Sequence, residues 1–173
     1  MISSVVVFNN YGKPRLTKFY VYASEDQQQK YVAECFRLIS KRSDEQCNFM
    51  EIRADMTGSG TKAGSRSRRK IVFRCYATLY FVFCIDESES ELGILDLIQV
   101  FVETLDRVFE NVCELDLIFH VDRVNYVLDE FVVGGLVVET NTRDVLTMLQ
   151  LQKTEEVSVS SSKWPSSISS MIQ

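Results

Sequence analysis

Apolar and polar positions in the first 20 residues predict a pair of strands. Residues 2–8 (ISSVVVF) are rich in β-branched side chains, which favour strands, and the turn-forming cluster NNYGKP follows them at 9–14. Residues 15–20 mix polar and apolar side chains, an imperfect strand pattern. We expect this segment to return along the first strand as a hairpin.

A helix and a short strand are predicted next. Ser24 and Gln27 have the spacing of a capping box, which indicates a helix from Ser24 to about Lys41. A short strand is expected at 48–53. The apolar positions expected on one face of the helix are Val32, Cys35, Phe36 and Ile39.

The middle of the chain predicts two strands and a long helix. Residues 70–75 and 77–86 are expected to be adjacent strands, and the second is so apolar that both of its faces should be buried. Residues 91–110 have polar side chains at spacings of three and four, while most other positions are apolar. A helix with so wide an apolar surface is packed between other elements.

Two more helices and a tail complete the prediction. A helix is expected at 114–133, with Gly134-Gly135 as its stop, and a last one at 143–153. In 154–173, eight of twenty residues are serine, which favours a disordered tail. Because the strands precede most helices, the order predicts one α+β domain over 1–153, an antiparallel sheet packed with helices.

Residues 54–69 interrupt this pattern. The segment holds three of the seven glycines, and basic residues are frequent in and just after it, so it is predicted to be a flexible basic insertion. A solvated loop is the simpler interpretation of the basic residues. The alternative is contact with acidic lipid head groups, which attract basic side chains. The residues concerned are Arg66, Arg68, Arg69 and Lys70.

The composition gives little support to enzymatic or metal chemistry. The chain has one histidine, His120, and no nucleophile or phosphate-loop motif, so we expect no enzyme activity and no cofactor. The five cysteines form no C-x-x-C pair, which leaves no zinc site and indicates buried free thiols. Net charge is −5, and an acidic body argues against nucleic-acid binding.

Four stretches resemble the sigma small subunits of the clathrin-associated adaptor complexes. They are GKPRLTKFY at 12–20, YATLYFVF at 76–83, NVCELDLIF at 111–119 and GGLVVET at 134–140. The resemblance extends from Met1 to about Leu151, apart from the insertion. The segment LGILDLIQVFVETLD at 92–106, with Phe8-Asn-Asn10 and Lys13-Pro14, is most similar to the sigma subunit of adaptor-protein complex 3 (AP-3).

The resemblance implies a longin-like fold with a five-stranded sheet. It also implies partners: a delta-type large subunit, with beta and mu chains, in a heterotetramer on the cytosolic face of Golgi and endosomal membranes and vesicles. In related adaptor complexes, acidic dileucine signals, [D/E]-x-x-x-L-[L/I], bind the sigma subunit during sorting toward lysosomes or vacuoles. The matching residues are Arg15, Ala77, Leu79, Val102, Asn111, Val112 and Leu115.

Alternatives remain at this point. Except for Arg15 and Asn111, the matched residues would also fit an ordinary hydrophobic core. The chain could be the sigma subunit of another adaptor complex, or a free-standing longin-type regulator of membrane fusion. The longest apolar run, residues 79–85, is shorter than the roughly 20 residues of a membrane span, and no lipidation motif is present. We therefore expect a cytosolic protein whose membrane association is peripheral.

Overall fold

The computed structural model describes residues 1–42, 47–52 and 69–162. The helices and strands of these residues are, in order, β1 (Ile2–Asn9), β2 (Pro14–Phe19), α1 (Glu25–Ile39), β3 (Phe49–Ile52), β4 (Arg69–Tyr76), β5 (Leu79–Asp86), α2 (Glu91–Phe109), α3 (Glu114–Phe119), α4 (Val121–Phe131), β6 (Val132–Val133), β7 (Leu136–Val137) and α5 (Thr142–Ser162).

Five strands form one antiparallel sheet in the order β2-β1-β5-β4-β3. The predicted α+β class and the five-stranded antiparallel sheet are confirmed. Strand β5 lies in the centre, and six of its eight residues are buried. This agrees with its nearly continuous apolar sequence, because a strand covered on both faces needs no polar alternation.

Helices cover both faces of the sheet. Helix α1 begins at the predicted capping box, where the Ser24 N–H donates to Gln27 Oε1 at 2.9 Å. Its buried residues pack on one face with Val82 and Cys84 of β5. On the other face, Phe81 and Phe83 pack against α2 and α4. Alternate residues of one strand thus serve two separate cores, as the pleat of a strand dictates.

A row of aromatic rings runs through the larger core. Phe101 lies between Phe81 and Phe131, with both ring centroids 6.1 Å from its own and the planes nearly perpendicular. Tyr76 continues the row beyond Phe81 at 5.9 Å. Edge-to-face packing of this kind adds to the stabilisation from apolar burial. The row joins the β4–β5 hairpin to α2 and α4.

The prediction of a single helix at 114–133 is wrong. The chain breaks at His120, whose φ of −124° and ψ of 39° are not helical, so α3 ends at Phe119 and α4 begins at Val121. The His120 ring stacks on Phe109 with centroids 6.0 Å apart. That contact and the separate packing of the two short helices replace the expected continuous apolar face.

The glycine pair belongs to a turn that the sequence pattern did not reveal. Helix α4 ends at Phe131, and Gly134 and Gly135 connect the short strands β6 and β7 with φ of 59° and 84°. The Ile2 N–H donates to the Gly135 carbonyl at 2.8 Å, which ties this hairpin to β1. The positive φ at both positions favours glycine in this turn, just as a helix stop would have done.

The C-terminal helix is longer than predicted. Helix α5 continues to Ser162, nine residues past the expected end at Lys153, and residues 163–173 lie outside the described residues. No glycine or proline occurs between Lys153 and Ser162 to stop the helix; the next such residue is Pro165. Most of the 54–69 insertion, including Arg66 and Arg68, also lies outside the described residues.

The cysteines divide into two groups, so the prediction of buried thiols holds only in part. Cys35 and Cys84 are buried, and burial raises the pKa of the Cys35 thiol to about 12. Cys47, Cys75 and Cys113 are exposed, contrary to the expectation. Tyr76, beside Cys75, and Val112, beside Cys113, are partly buried against the core, while the two cysteines are exposed.

Candidate functional site

A cavity of about 450 Å³ opens where the β4–β5 turn meets α2 and the start of α3. That volume lies within the range of sites that hold small ligands or peptide side chains. Its lining is formed by Tyr76, Ala77, Thr78, Leu79, Phe81, Val102, Glu103, Asp106, Val112, Cys113, Glu114 and Leu117.

The floor and walls of the cavity are apolar. Leu79 and Phe81 project from β5, and Leu117 enters from α3 with only 1% of its surface exposed. Val102 from α2 is partly buried against the same core. The packing of the strands and helices holds these side chains in the lining.

Left-handed backbone conformations surround the cavity. In the described part of the chain, the non-glycine residues with positive φ are Ala77 (53°), Glu110 (54°) and Asn111 (82°). Ala77 forms the turn between β4 and β5 and lines the cavity, while Glu110 ends α2. Such conformations are costly for L-residues and persist where the surrounding structure enforces them.

Hydrogen bonds accepted by Asp106 hold the turn that carries Val112. The Asn111 N–H donates to the Asp106 backbone carbonyl at 3.2 Å, and the Val112 N–H donates to its Oδ1 at 3.1 Å. The Cys113 N–H donates to Asp116 Oδ2 at 2.9 Å, and this bond holds the pKa of Asp116 below its usual range. The side chain of Val112 is thereby directed into the cavity lining.

A salt bridge lies at one edge of the cavity. Arg15 Nη2 lies 2.7 Å from Glu114 Oε1, and Arg15 Nε donates to the same oxygen at 2.8 Å. Asn9 Nδ2 also donates to that oxygen at 2.9 Å. The Arg15 guanidinium, with help from Asn9, holds the pKa of Glu114 below its usual range, so Glu114 is ionised at neutral pH.

The structure brings together most of the residues predicted from sequence. Ala77, Leu79, Val102 and Val112 all line the cavity, and Arg15 contacts the lining residue Glu114. Asn111 lies on the turn beside Val112 but is outside the lining.

Leu115 does not line the cavity. Its side chain is 58% exposed, and Leu117, two residues further along α3, occupies the inner position. Sequence reasoning also missed the carboxylates of the rim, Glu103, Asp106 and Glu114. Their signal in the sequence, polar residues beside apolar ones on α2 and α3, is the same as that of any solvent-facing helix stripe.

The described end of the basic stretch belongs to the sheet. Arg69 and Lys70 lie in β4, opposite Ile52 and Glu51 of β3. The Lys70 ammonium forms an ion pair with Glu91 at the start of α2, which raises the pKa of Lys70. The hypothesis of a lipid contact therefore depends mainly on Arg66 and Arg68, and it stays a prediction.

Among the helices of residues 1–42, 47–52 and 69–162, none has the length and the apolar composition of a membrane span. The same residues contain no cluster of three or more His, Cys, Asp or Glu side chains that could hold a metal ion.

Comparison with known proteins adds the family. The family model "Clathrin adaptor complex small chain" matches residues 1–156. The human AP-3 complex subunit sigma-2 is 56% identical over 158 residues, with 91% of this chain and 78% of the relative covered. The AP-3 complex subunit sigma of Dictyostelium discoideum is 54% identical over 152 residues, covering 88% of this chain and 85% of the relative.

A structural neighbour agrees with the sequence relatives. It is a chain of a full-length AP-3 complex in a stretched open conformation, described as a homology model, with a TM-score of 0.67 and 40% identity. The match covers 93% of this chain and 99% of the neighbour. The resemblance to sigma small subunits, predicted from four motifs, is thus confirmed. The similarity to the sigma subunit of AP-3, predicted chiefly from residues 92–106, is also confirmed, and the chain belongs to the clathrin adaptor complex small chain family.

Proposed function

We propose that this chain is the sigma subunit of an AP-3-type heterotetramer and that its cavity binds the leucines of acidic dileucine signals. The observation that carries the proposal is the cavity itself: apolar walls of Leu79, Val102, Val112 and Leu117, with Arg15 held at the edge. A dileucine signal has the matching chemistry, two adjacent apolar side chains and an acid four residues before them.

The energetics of such a site agree with a weak, reversible interaction. Burying two leucines yields roughly 3–6 kcal/mol before ordering costs, while micromolar affinity requires about 8 kcal/mol. Peptide backbone hydrogen bonds and the contact with Arg15 would add the remainder. Several such complexes on one membrane would then retain cargo through high effective concentration.

The surface outside the cavity supports assembly with other subunits. Large apolar side chains are exposed on α3, α4 and the β6–β7 hairpin, which favours partner contacts rather than a free monomer. We expect a delta-type large subunit, with beta and mu chains, to cover part of this surface. The most exposed of these residues are Phe119 (73%), Leu136 (58%), Leu115 (58%), Val138 (57%) and Val133 (56%).

The proposed role is non-enzymatic and located on membranes. His120 stacks on Phe109 rather than facing the cavity, so its position gives no support to general-base chemistry. The complex would work at the cytosolic face of Golgi and endosomal membranes and carry cargo toward lysosomes or vacuoles. Peripheral association through the complex requires no membrane span in this chain.

Two experiments test the proposal. Co-expression with delta-type, beta and mu chains should yield a stoichiometric complex. Recovery of this chain as a stable monomer that does not bind those subunits would refute the assembly role. The purified complex should then bind a fluorescent acidic dileucine peptide. The matched control peptide has both leucines replaced by alanine, and equal affinity for both peptides would refute the cavity as the signal site.

A further inference from the structure

Arg15 is not a free cation waiting at the edge of the cavity. Two of its N–H groups are directed at a single oxygen, Glu114 Oε1, at 2.7 and 2.8 Å. Both side chains are largely shielded, with 20% of Arg15 and 27% of Glu114 exposed. Glu114 is among the residues that line the cavity, whereas Arg15 is not.

The pair changes the charge that an incoming peptide would meet. Because Glu114 is ionised beside Arg15, the two side chains together carry no net charge. An acidic side chain approaching the guanidinium would also approach the Glu114 carboxylate, and like charges repel. Glu103 and Asp106 add two more carboxylates to the same lining. The edge is therefore much less attractive to an acid than an unpaired arginine would be.

The pair does not close the site, however. A guanidinium has five N–H donors, and Glu114 engages two of those of Arg15, so three remain for another acceptor. The contact to Glu114 also holds the guanidinium plane in place, which reduces the ordering cost of a second hydrogen-bonded carboxylate. Glu114 thus both positions Arg15 and weakens its attraction for acids.

We propose that Glu114 is a specificity-determining residue whose charge limits how strongly the cavity prefers acidic over neutral signals. This inference rests on the proposed dileucine site. It concerns the side chain of this subunit that contacts Arg15 and does not concern the leucine-binding walls. The occupant is a peptide carboxylate that shares Arg15 with Glu114.

The test is Glu114→Gln in the assembled heterotetramer. Glutamine retains an oxygen at the position of Oε1, which is the atom that accepts from both Arg15 and Asn9, so the geometry is kept while the charge is removed. Two peptides are compared by calorimetry or anisotropy, one with the acidic residue and one with the corresponding amide. The variant should raise the ratio of the affinity for the acidic peptide to the affinity for the amide peptide about three- to fivefold, within the range of partly exposed ion pairs. The affinity for the amide peptide should stay nearly unchanged.

Two controls separate a local effect from a general one. Glu103→Gln removes another carboxylate of the lining, whose Oε1 accepts from Gln99 Nε2 at 3.0 Å. It should alter the ratio much less than Glu114→Gln. In an Arg15→Gln background, Glu114→Gln should change the ratio much less, because the acid is then no longer held beside the Glu114 carboxylate.

The outcomes are distinguishable. If the wild-type complex binds neither peptide, the proposed function fails and this inference falls with it. If wild type binds but Glu114→Gln leaves the ratio unchanged, the inference alone is overturned. An equal effect of Glu103→Gln, or an effect of undiminished size without Arg15, would also overturn it. Should Glu114→Gln reduce assembly, Glu114→Ser is compared in the same way, and an unchanged ratio in that variant again overturns the inference.

Discussion

Val102→Asp should weaken the binding of an acidic dileucine peptide to the complex by at least about tenfold. Val102 projects from α2 into the cavity and is partly buried against the core that includes Leu117. Losing the apolar environment of one signal leucine costs about 1.5–3 kcal/mol, which corresponds to roughly a 10- to 150-fold increase in Kd. The new carboxylate would join Glu103, Asp106 and Glu114 and repel the acid of the signal as well.

The assay is fluorescence anisotropy of a labelled peptide titrated with the purified heterotetramer, with thermal unfolding as a check of integrity. Val102 is not fully buried, so the substituted side chain can remain partly hydrated and the fold should survive. Leu92→Asp is the matched control, because it introduces the same charge on the same helix α2, at a residue that is 70% exposed and outside the cavity. We expect the control to change Kd by less than about threefold, as for an isolated surface charge.

Two results would refute this reasoning. One is a Val102→Asp complex that is assembled, unfolds at the wild-type temperature and still binds the peptide with wild-type affinity. The other is an equal loss of binding in Val102→Asp and Leu92→Asp. In that case the added charge rather than its place in the lining would control affinity, and the cavity would not be the leucine site.

Other predictions concern stability. Gly135→Ala should lower the free energy of unfolding by more than the about 1–2 kcal/mol expected for Gly134→Ala, because both have positive φ but a Cβ at Gly135 would lie 2.3 Å from a carbonyl oxygen of β1, whereas nothing lies within 4 Å at Gly134; equal effects in urea unfolding would contradict this. Phe131→Ala should cost about 3–5 kcal/mol in the same assay, since the ring is fully buried, and a loss below about 1 kcal/mol would contradict the packing. Arg15 is the main cause of the lowered pKa of Glu114. The Glu114 carboxylate therefore contributes stability above its pKa in the unfolded chain, and this stability is lost as pH falls through the lower pKa of the folded chain. The difference in the free energy of unfolding between wild type and Glu114→Gln should shrink in acid, and a difference that stays constant with pH would refute the role of the ion pair.

Local sequence patterns determined the sheet and the two longest helices that pack on it. The capping residues Ser24 and Gln27 bond within their own segment, and the β-branched or apolar runs of β1 and β5 fit a pleated, buried surface. The apolar circumference of α2 required a helix packed on several sides, which the structure confirms. Resemblance to the family added Arg15 to the site. It also added the apolar residues at the β4–β5 turn, which composition alone would have assigned to a core.

Only the tertiary structure decided which side chains form the cavity and what Arg15 contacts. Leu115 and Leu117 differ little in sequence character, but the break at His120 makes α3 a six-residue helix whose orientation is set by packing, and this turns Leu117 inward. Arg15 and Glu114 are separated by 99 residues, and their ion pair exists because β2 and α3 meet in space. Periodicity within one segment carries no information about such contacts, since they depend on how separate elements pack.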